Sequence, residues 1–528
     1  MSDDMFFQSI KSKGGEEMKK TTLLGVVFCS LFLFSNFLYA AGLDEIVIGF
    51  TDDALTMDPA NHRARTTETI LRDMYDGLVV RNSKMEVVPQ IAEDWEQIDT
   101  LTYNFTLRKG VKFHNGDLLT AEDVKFTFDR IITDGAIGGQ TSPRKSLLGS
   151  LKEVKILGPN EVQFILEKPW PVFPAFLPWQ EVVSKKFVES VGSEGMATQV
   201  NGTGPFTLVE WIRGNRIVME RFDDYYGGSS SIPPVGKAKV KRVIWQIIPE
   251  NASRVAALLS GEVDIINDVP THSIKQIEAN PNSSIMTVNG TRSYFLPLNN
   301  TKPPFNDVRV RKALCHAINV DLIIEKILNN NATRINSILS PDAFGHNPNL
   351  TKYEYNPDKA KKLLAEAGYA DGTSVTLDVT SELKDIAEAI SANLADVGIN
   401  AKVKVWEKSV IGPIWKKPVK TRDMFFTSWG NGSLDPVGIM TPVLRSGGRG
   451  NYSGYSNPKV DGLIDKAMVE VDRKKRASYY QEAESILNEE VPMVFLWLPR
   501  EIFGVSARLG GWEPKADSQI NLHDAYIK

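Results

Sequence analysis

Cysteine is nearly absent from this sequence. Its 528 residues include two, Cys29 and Cys315, which excludes a disulfide-stapled scaffold and a cysteine-rich metal centre. Histidine is scarce as well. The six (His62, His114, His272, His316, His346, His523) are scattered, without HExxH or any paired metal-ligand spacing. No GxSxG elbow, phosphate loop or strand-following GxGxxG is present, so common hydrolase and nucleotide chemistries lack their residues. Neither sign of charge dominates. The 61 Lys and Arg face 65 Asp and Glu, a net charge of -4, which is not the basic surface that nucleic acid requires. Acidic pairs such as Asp52-Asp53, Asp223-Asp224 and Glu489-Glu490 are what composition alone produces. Cys315 shares an apolar helix face with Leu314, Ala317 and Ile318 and reads as a small buried hydrophobe, not a nucleophile. No catalytic residue, cofactor or metal site is expected.

Repeats and low-complexity tracts are also missing. Hydrophobic residues make up 42% and charged residues 24%, a globular composition whose length suits two to four domains. The one long apolar run, Leu23 to Phe34, follows Lys19-Lys20 and leads to Ser35-Asn36 and then Ala40-Ala41-Gly42. It is shorter than the roughly 20 residues that span a bilayer, and its charged, apolar and small-residue order is that of a secretory signal peptide. Residues 1–42 are therefore expected to direct export, with cleavage near Ala40–Gly42. The acidic stretch Gly14-Gly15-Glu16-Glu17 falls outside that pattern, and translation is expected to start at Met18. Cys29 follows Phe28 instead of a small residue, which argues against a lipid anchor. The mature chain is expected to be periplasmic and not inserted in a membrane.

Beyond residue 42, strand and helix patterns alternate. Val375, Leu377 and Val379 alternate as in a strand, Ile386, Ile390, Leu394 and Val397 share a helix face ended by Gly398, and Ala401, Val403 and Val405 alternate again. This predicts a parallel strand–helix–strand unit. Asn356-Pro357 and Asn457-Pro458 open further helices, Thr120 caps another, and a helix through Val255 and Leu258 stops at Gly261. Val263–Ile266 reads as a strand. Tyr103, Phe105 and Leu107 predict a hairpin strand turning at Lys109-Gly110. The class is α/β with mixed sheets.

AEDW at Ala92 and YNFTLRKGVKFHNGDLLTAEDVKFTFDR to Arg130, followed by GTGPF at Gly202–Phe206, PFNDVRVRKAL at Pro304–Leu314 and NPDKAKKLLAEAG at Asn356–Gly368, carry a resemblance. NYSGYSNPKVDGLI at Asn451–Ile464 and VPMVFLW at Val491–Trp497 extend it. Together they resemble the extracellular solute-binding proteins of the peptide/nickel class, which serve ABC importers. The resemblance implies a two-lobed periplasmic-binding-protein fold with a hinge and an extra domain in the first lobe. It divides the chain into 43–88 and 201–295 (lobe one), 89–200 (the extra domain), 296–490 (lobe two) and 491–528 (the return to lobe one). The chain would cross between lobes near Tyr294–Asn299 and again through Val491–Val505. It also implies a monomer that captures a small molecule or short oligomer and delivers it to a permease pair in the inner membrane. The signature itself reads as scaffold, its charges solvated.

For the site, Asp423–Ser428 reads as a strand running into Trp429-Gly430-Asn431-Gly432-Ser433-Leu434-Asp435-Pro436, which by itself is a Gly/Asn turn beside a core tryptophan. The resemblance places this loop in the ligand cleft. In peptide-binding relatives an aspartate three residues after the tryptophan meets the peptide's ammonium, and here that position is Gly432. A buried ammonium without its counter-charge costs several kcal/mol, so an ordinary free-amino-terminus peptide is disfavoured. An oligosaccharide, an opine-like conjugate, a blocked peptide, a nickel chelate or haem remain open, as does a periplasmic peptide chaperone. Asp435 is the remaining acid, although it occupies the family's separate position before proline. Trp415, Trp406, Tyr294 and Trp497 are further aromatic candidates, and Arg292 and Arg445 are candidates for a carboxylate or phosphate.

Overall fold

A computed structural model describes residues 44–232, 235–407, 410–411, 414 and 422–528; the expected signal peptide and Trp415 lie outside them. The widest sheet is built around one long strand, Met493–Ser506. Its C-terminal half pairs antiparallel with Ser283–Asn289 and Ile265–Ile266, and its N-terminal half with Arg292–Pro297 and Ala332–Arg334. Glu45–Phe50 continues the sheet parallel to Ile265–Ile266 and to Arg242–Ile247. The antiparallel strands Arg216–Arg221 and Phe206–Ile212 complete that side. The chain passes from one half of the long strand to the other between Asn289 and Arg292, opposite Pro499–Glu501.

The strand–helix–strand unit forms as its periodicity predicts. Thr373–Thr380 and Ile399–Trp406 pair in parallel, in register from Thr373↔Ile399 to Thr380↔Trp406. The helix Lys384–Ala395 between them buries Ile386, Ala387, Ile390 and Leu394 on the sheet. Gly398 takes φ +88° to end the connection, a conformation that costs other residues a steric clash. Met424–Phe425 adds to this sheet beside Thr373–Thr380, while Thr427–Gly430 leaves it to pair with Arg292–Pro297. The single strand expected over Asp423–Ser428 is thus split between two sheets. Trp429 and Gly430 extend its second part instead of opening the loop.

A third, antiparallel sheet runs Ala92–Asp99, Thr102–Leu107, Glu161–Leu166, Leu151–Gly158. It packs Tyr103, Phe105 and Phe164 against Val124, Phe128 and Ile131 of the helix Ala121–Ile132. The Asp123 carboxylate accepts from the Thr120 N–H at 2.9 Å and closes that helix's first turn. Here the expected hairpin is corrected. Gly110 does turn (φ +77°), but the partners of Thr102–Leu107 are the strand before it and one more than fifty residues on. The signature's charges are not all solvated either. Arg130 makes a buried two-pronged pair with Asp58 at 2.8 and 2.5 Å.

The signature meets GTGPF through His114. Its Nδ1 accepts from the Gly202 N–H at 3.3 Å and its Nε2 faces the Gly204 carbonyl at 3.1 Å. A ring that accepts on one nitrogen and donates from the other is neutral. Burial lowers its pKa to about 4, against a smaller raising effect of the Gly204 carbonyl. The unfolded chain then binds a proton near pH 6.5 that the folded chain refuses, so this group withdraws stability as pH falls from 6.5 towards 4. His114 is expected to titrate near 4 by ring-proton NMR, and His114→Gln is expected to remove that part of the acid sensitivity. A midpoint near 6.5 would contradict this.

Candidate functional site

The loop after Thr427–Gly430 closes over a cavity of about 390 Å³. One wall is Ser428 to Ser433 with Gly438 and Arg449; the other is Arg63 to Arg65, Arg144, Phe176 and Trp179, with Arg292 at the edge. Among the described residues, no helix is long and apolar enough to cross a membrane, and no cluster of three His, Cys, Asp or Glu could hold a metal.

Trp429 is fixed by its indole N–H, which donates to the Gly438 carbonyl at 3.0 Å. The Arg449 guanidinium lies 4.5 Å above its ring, and Gly450 packs so closely that a Cβ there would sit 2.5 Å from the ring. The Asn431 N–H bonds to the Thr291 carbonyl at 2.8 Å, tying the loop to the crossing segment. Gly432 faces Trp179: a Cβ on it would come within 3.3 Å of the indole. The space where the peptide-binding relatives were expected to carry an aspartate is therefore bounded by an aromatic ring. Arg292 stands opposite Gly430 in register, with Nη1 3.4 Å from the Ser428 hydroxyl.

Beneath the cavity lies a buried charge lattice. Arg144 reaches Glu181 at 3.1 Å, His62 Nε2 at 2.7 Å, and also Glu68 and the Trp179 carbonyl. Arg72 holds the other oxygen of Glu68 at 2.8 Å. Burial alone would raise Glu68, but the Arg144 and Arg72 guanidiniums outweigh it and hold the carboxyl well below its usual range. Burial and the nearby Glu68 charge push Glu181 up. Burial, then Arg144, lowers His62 to about 4, leaving its Nε2 free to accept from the guanidinium.

Of the expected site residues, Trp429, Asn431, Gly432 and Arg292 line one cavity. Asp435 does not. It is buried, caps the turn Pro436–Gly438, and meets Arg476 at 2.7 and 2.6 Å, so its charge is already neutralised. Trp497 is 2% exposed and stacks on Tyr294 at 6.1 Å within a core, because both project from paired strands into the packed layer. Trp406 sends its indole N–H to Asp378 at 2.9 Å. Arg445 pairs with Asp465 at 2.8 Å on the surface. Arg63, Arg65, Arg144, Trp179 and Arg449 were not anticipated. Arg63 and Arg65 share one segment, and the others come from three more with no motif between them.

Residues 86–451 match a family model described as bacterial extracellular solute-binding proteins, family 5, middle. The dipeptide-binding protein of Escherichia coli (strain K12) is 28% identical over 451 residues, 78% of this chain and 81% of that protein. The glutathione-binding protein GsiB of Pectobacterium atrosepticum is 26% identical over 91% of this chain and 94% of its own. The solved structure of HbpA2 from Haemophilus parasuis superposes with a TM-score of 0.82 at 26% identity, covering 92% of this chain and all of that one.

Proposed function

The chain belongs to the family 5 bacterial extracellular solute-binding proteins, and from that premise we propose that the cavity between Trp429–Ser433 and Arg63–Trp179 is its ligand site. The protein is the substrate-binding component of an ABC importer, acting outside the cytoplasm and handing its solute to a permease. The observation that carries the site is the pairing of walls. A tryptophan-bearing loop on one side of the crossing segments faces arginines and aromatics on the other, with room for a small molecule between.

In our reading the two crossings at 289–292 and 499–501 are the hinge, and closure is driven by contacts that a ligand makes with both walls. The leader is removed near Ala40–Gly42, and the mature protein acts as a monomer that alters no covalent bond. Relatives bind a dipeptide or glutathione by name, but a ligand of this chain would not place a free ammonium at Gly432, where no carboxylate waits. Scattering tests the reading: a bound solute should make the protein more compact, and profiles unchanged across a broad metabolite screen would end it.

Trp429→Ala removes the platform while leaving the strand pairing intact. Affinity for the ligand recovered from exported protein is expected to fall roughly 10- to 100-fold, in the range of a buried aromatic anchor. The unfolding transition should stay cooperative. Unchanged affinity by calorimetry would take Trp429 out of the site.

A further inference from the structure

The ligand's chemistry can be read from the charges of the cavity, and this step rests on the solute-binding reading above. Five guanidiniums line it (Arg63, Arg65, Arg144, Arg292, Arg449) against two carboxylates, Glu68 and Asp517. Most of the opposite charge is already engaged. Glu68 is held by Arg144 and Arg72, Arg65 meets Glu501 at 3.3 Å, and Asp517 lies in the field of Lys515, Arg72 and Arg81.

Arg63, Arg292 and Arg449 make no direct ion pair with a carboxylate among the described residues. Arg63 donates to the Ser146 hydroxyl at 2.9 Å, Arg292 approaches the Ser428 hydroxyl, and Arg449 covers Trp429. They also crowd one another. Burial and the charges of Arg449 and Arg144 lower the Arg63 pKa, and burial, then Arg65, lowers that of Arg292 against the smaller raising effects of Tyr294 and of Glu501, the acid that Arg65 already meets. The Arg65 and Arg292 side chains converge on Gly430, where a Cβ would lie 3.2 Å from Arg292 Nη2 and 3.9 Å from Arg65 Nη2.

Arg292 is half-buried while Arg63 and Arg449 are exposed; like charges gathered on one cavity repel one another, and such a cost is retained where a counter-ion arrives with the ligand. A neutral sugar would leave them unmatched and would find one face of Trp429 already covered by Arg449. We infer that the cleft takes a small solute with two separate anionic groups, one between Arg63 and Arg449 and the other between Arg65 and Arg292. Carboxylates are the group that a guanidinium pair meets in two-pronged fashion.

Exported protein purified without stripping and then denatured would release its ligand for mass spectrometry. A ligand with two or more negative charges at pH 7 supports the inference. A neutral or singly charged one overturns it while leaving solute binding intact. Stripped protein is titrated in parallel with N-acetyl-Ala-Glu and N-acetyl-Ala-Gln, which differ by one carboxylate. The first is expected to bind about tenfold tighter or more, as for a charge-assisted hydrogen bond. That advantage should vanish in Arg63→Gln and Arg292→Gln and persist in Arg445→Gln, whose guanidinium is engaged elsewhere. Ligand-free Arg63→Gln/Arg292→Gln should melt no lower than the native protein, since it loses repulsion; a purely structural pair would melt lower. Equal affinity for the two probes, or displacement by inorganic phosphate but not by N-acetyl-Ala-Glu, would overturn the dicarboxylate assignment. No released ligand, no bound probe and no compaction together would bring down the solute-binding reading itself.

Discussion

Asp435→Asn is expected to lose about 3 kcal/mol of stability, the scale of breaking a buried ion pair. The change keeps the side chain's shape and leaves an oxygen to accept from the Val437 N–H, now at 3.1 Å. It removes only the charge that Arg476 meets at 2.7 and 2.6 Å. That guanidinium would remain buried among Phe344, Tyr480 and the Ala467 carbonyl with no carboxylate beside it. Urea unfolding should show the loss at unchanged slope, and Arg476→Met in the same chain should recover most of it, because an apolar side chain of similar length needs no partner. Ligand affinity of the folded fraction should fall about tenfold as the Trp429–Ser433 loop loses its anchor. Were Asp435 instead a ligand carboxylate, binding would disappear and stability would hold.

The second large effect is expected at Gly202. A Cβ there would lie 2.0 Å from the Met74 carbonyl oxygen and 2.8 Å from the Tyr75 ring. The obstacle is backbone, pinned because the same carbonyl accepts from the Gly204 N–H at 3.0 Å and Asp73 accepts from Phe206. Gly202→Ala must push two segments apart and break the His114 contact as well. We expect about 3 kcal/mol of destabilisation, at the upper end for overpacking, read as a lower melting temperature. Gly462→Ala is the contrast. It lies in the helix Pro458–Val469 with open space around it and should stabilise by about 0.8 kcal/mol through helix propensity alone.

These two sites show what kind of information the sequence carries. Local periodicity was enough for Thr373–Trp406, because a helix face and two alternating strands declare themselves within forty residues. It failed at Lys109-Gly110, where the turn is real but the hairpin turns earlier, between Asp99 and Thr102, and the strand on the other side, Glu161–Leu166, is distant in sequence. GTGPF could be recognised as a motif, yet the reason for its glycine is the Met74 carbonyl, more than a hundred residues away. Asp435 before proline could be offered from the sequence only as the remaining acid, and the buried Arg476 shows what it pairs with. Trp497 and Tyr294 alternate as strand residues should, but alternation does not say which face meets a cleft. Of the arginine wall only Arg292 could be named beforehand; Arg63, Arg65, Arg144 and Arg449 were illegible because each looks, in its own segment, like an ordinary surface cation.

The lattice under the cavity is complete before any solute arrives. Arg144, Glu68, Arg72 and His62 are already locked together, so the entropic cost of ordering them is met during folding and is not charged to capture. His62 refuses a proton until pH approaches 4. A protein working outside the cytoplasm shares the acidity of its surroundings. This floor keeps the imidazole uncharged and accepting from Arg144 while the medium sours, and leaves Glu181, pushed up by burial and by Glu68, as the member of the lattice that takes a proton first.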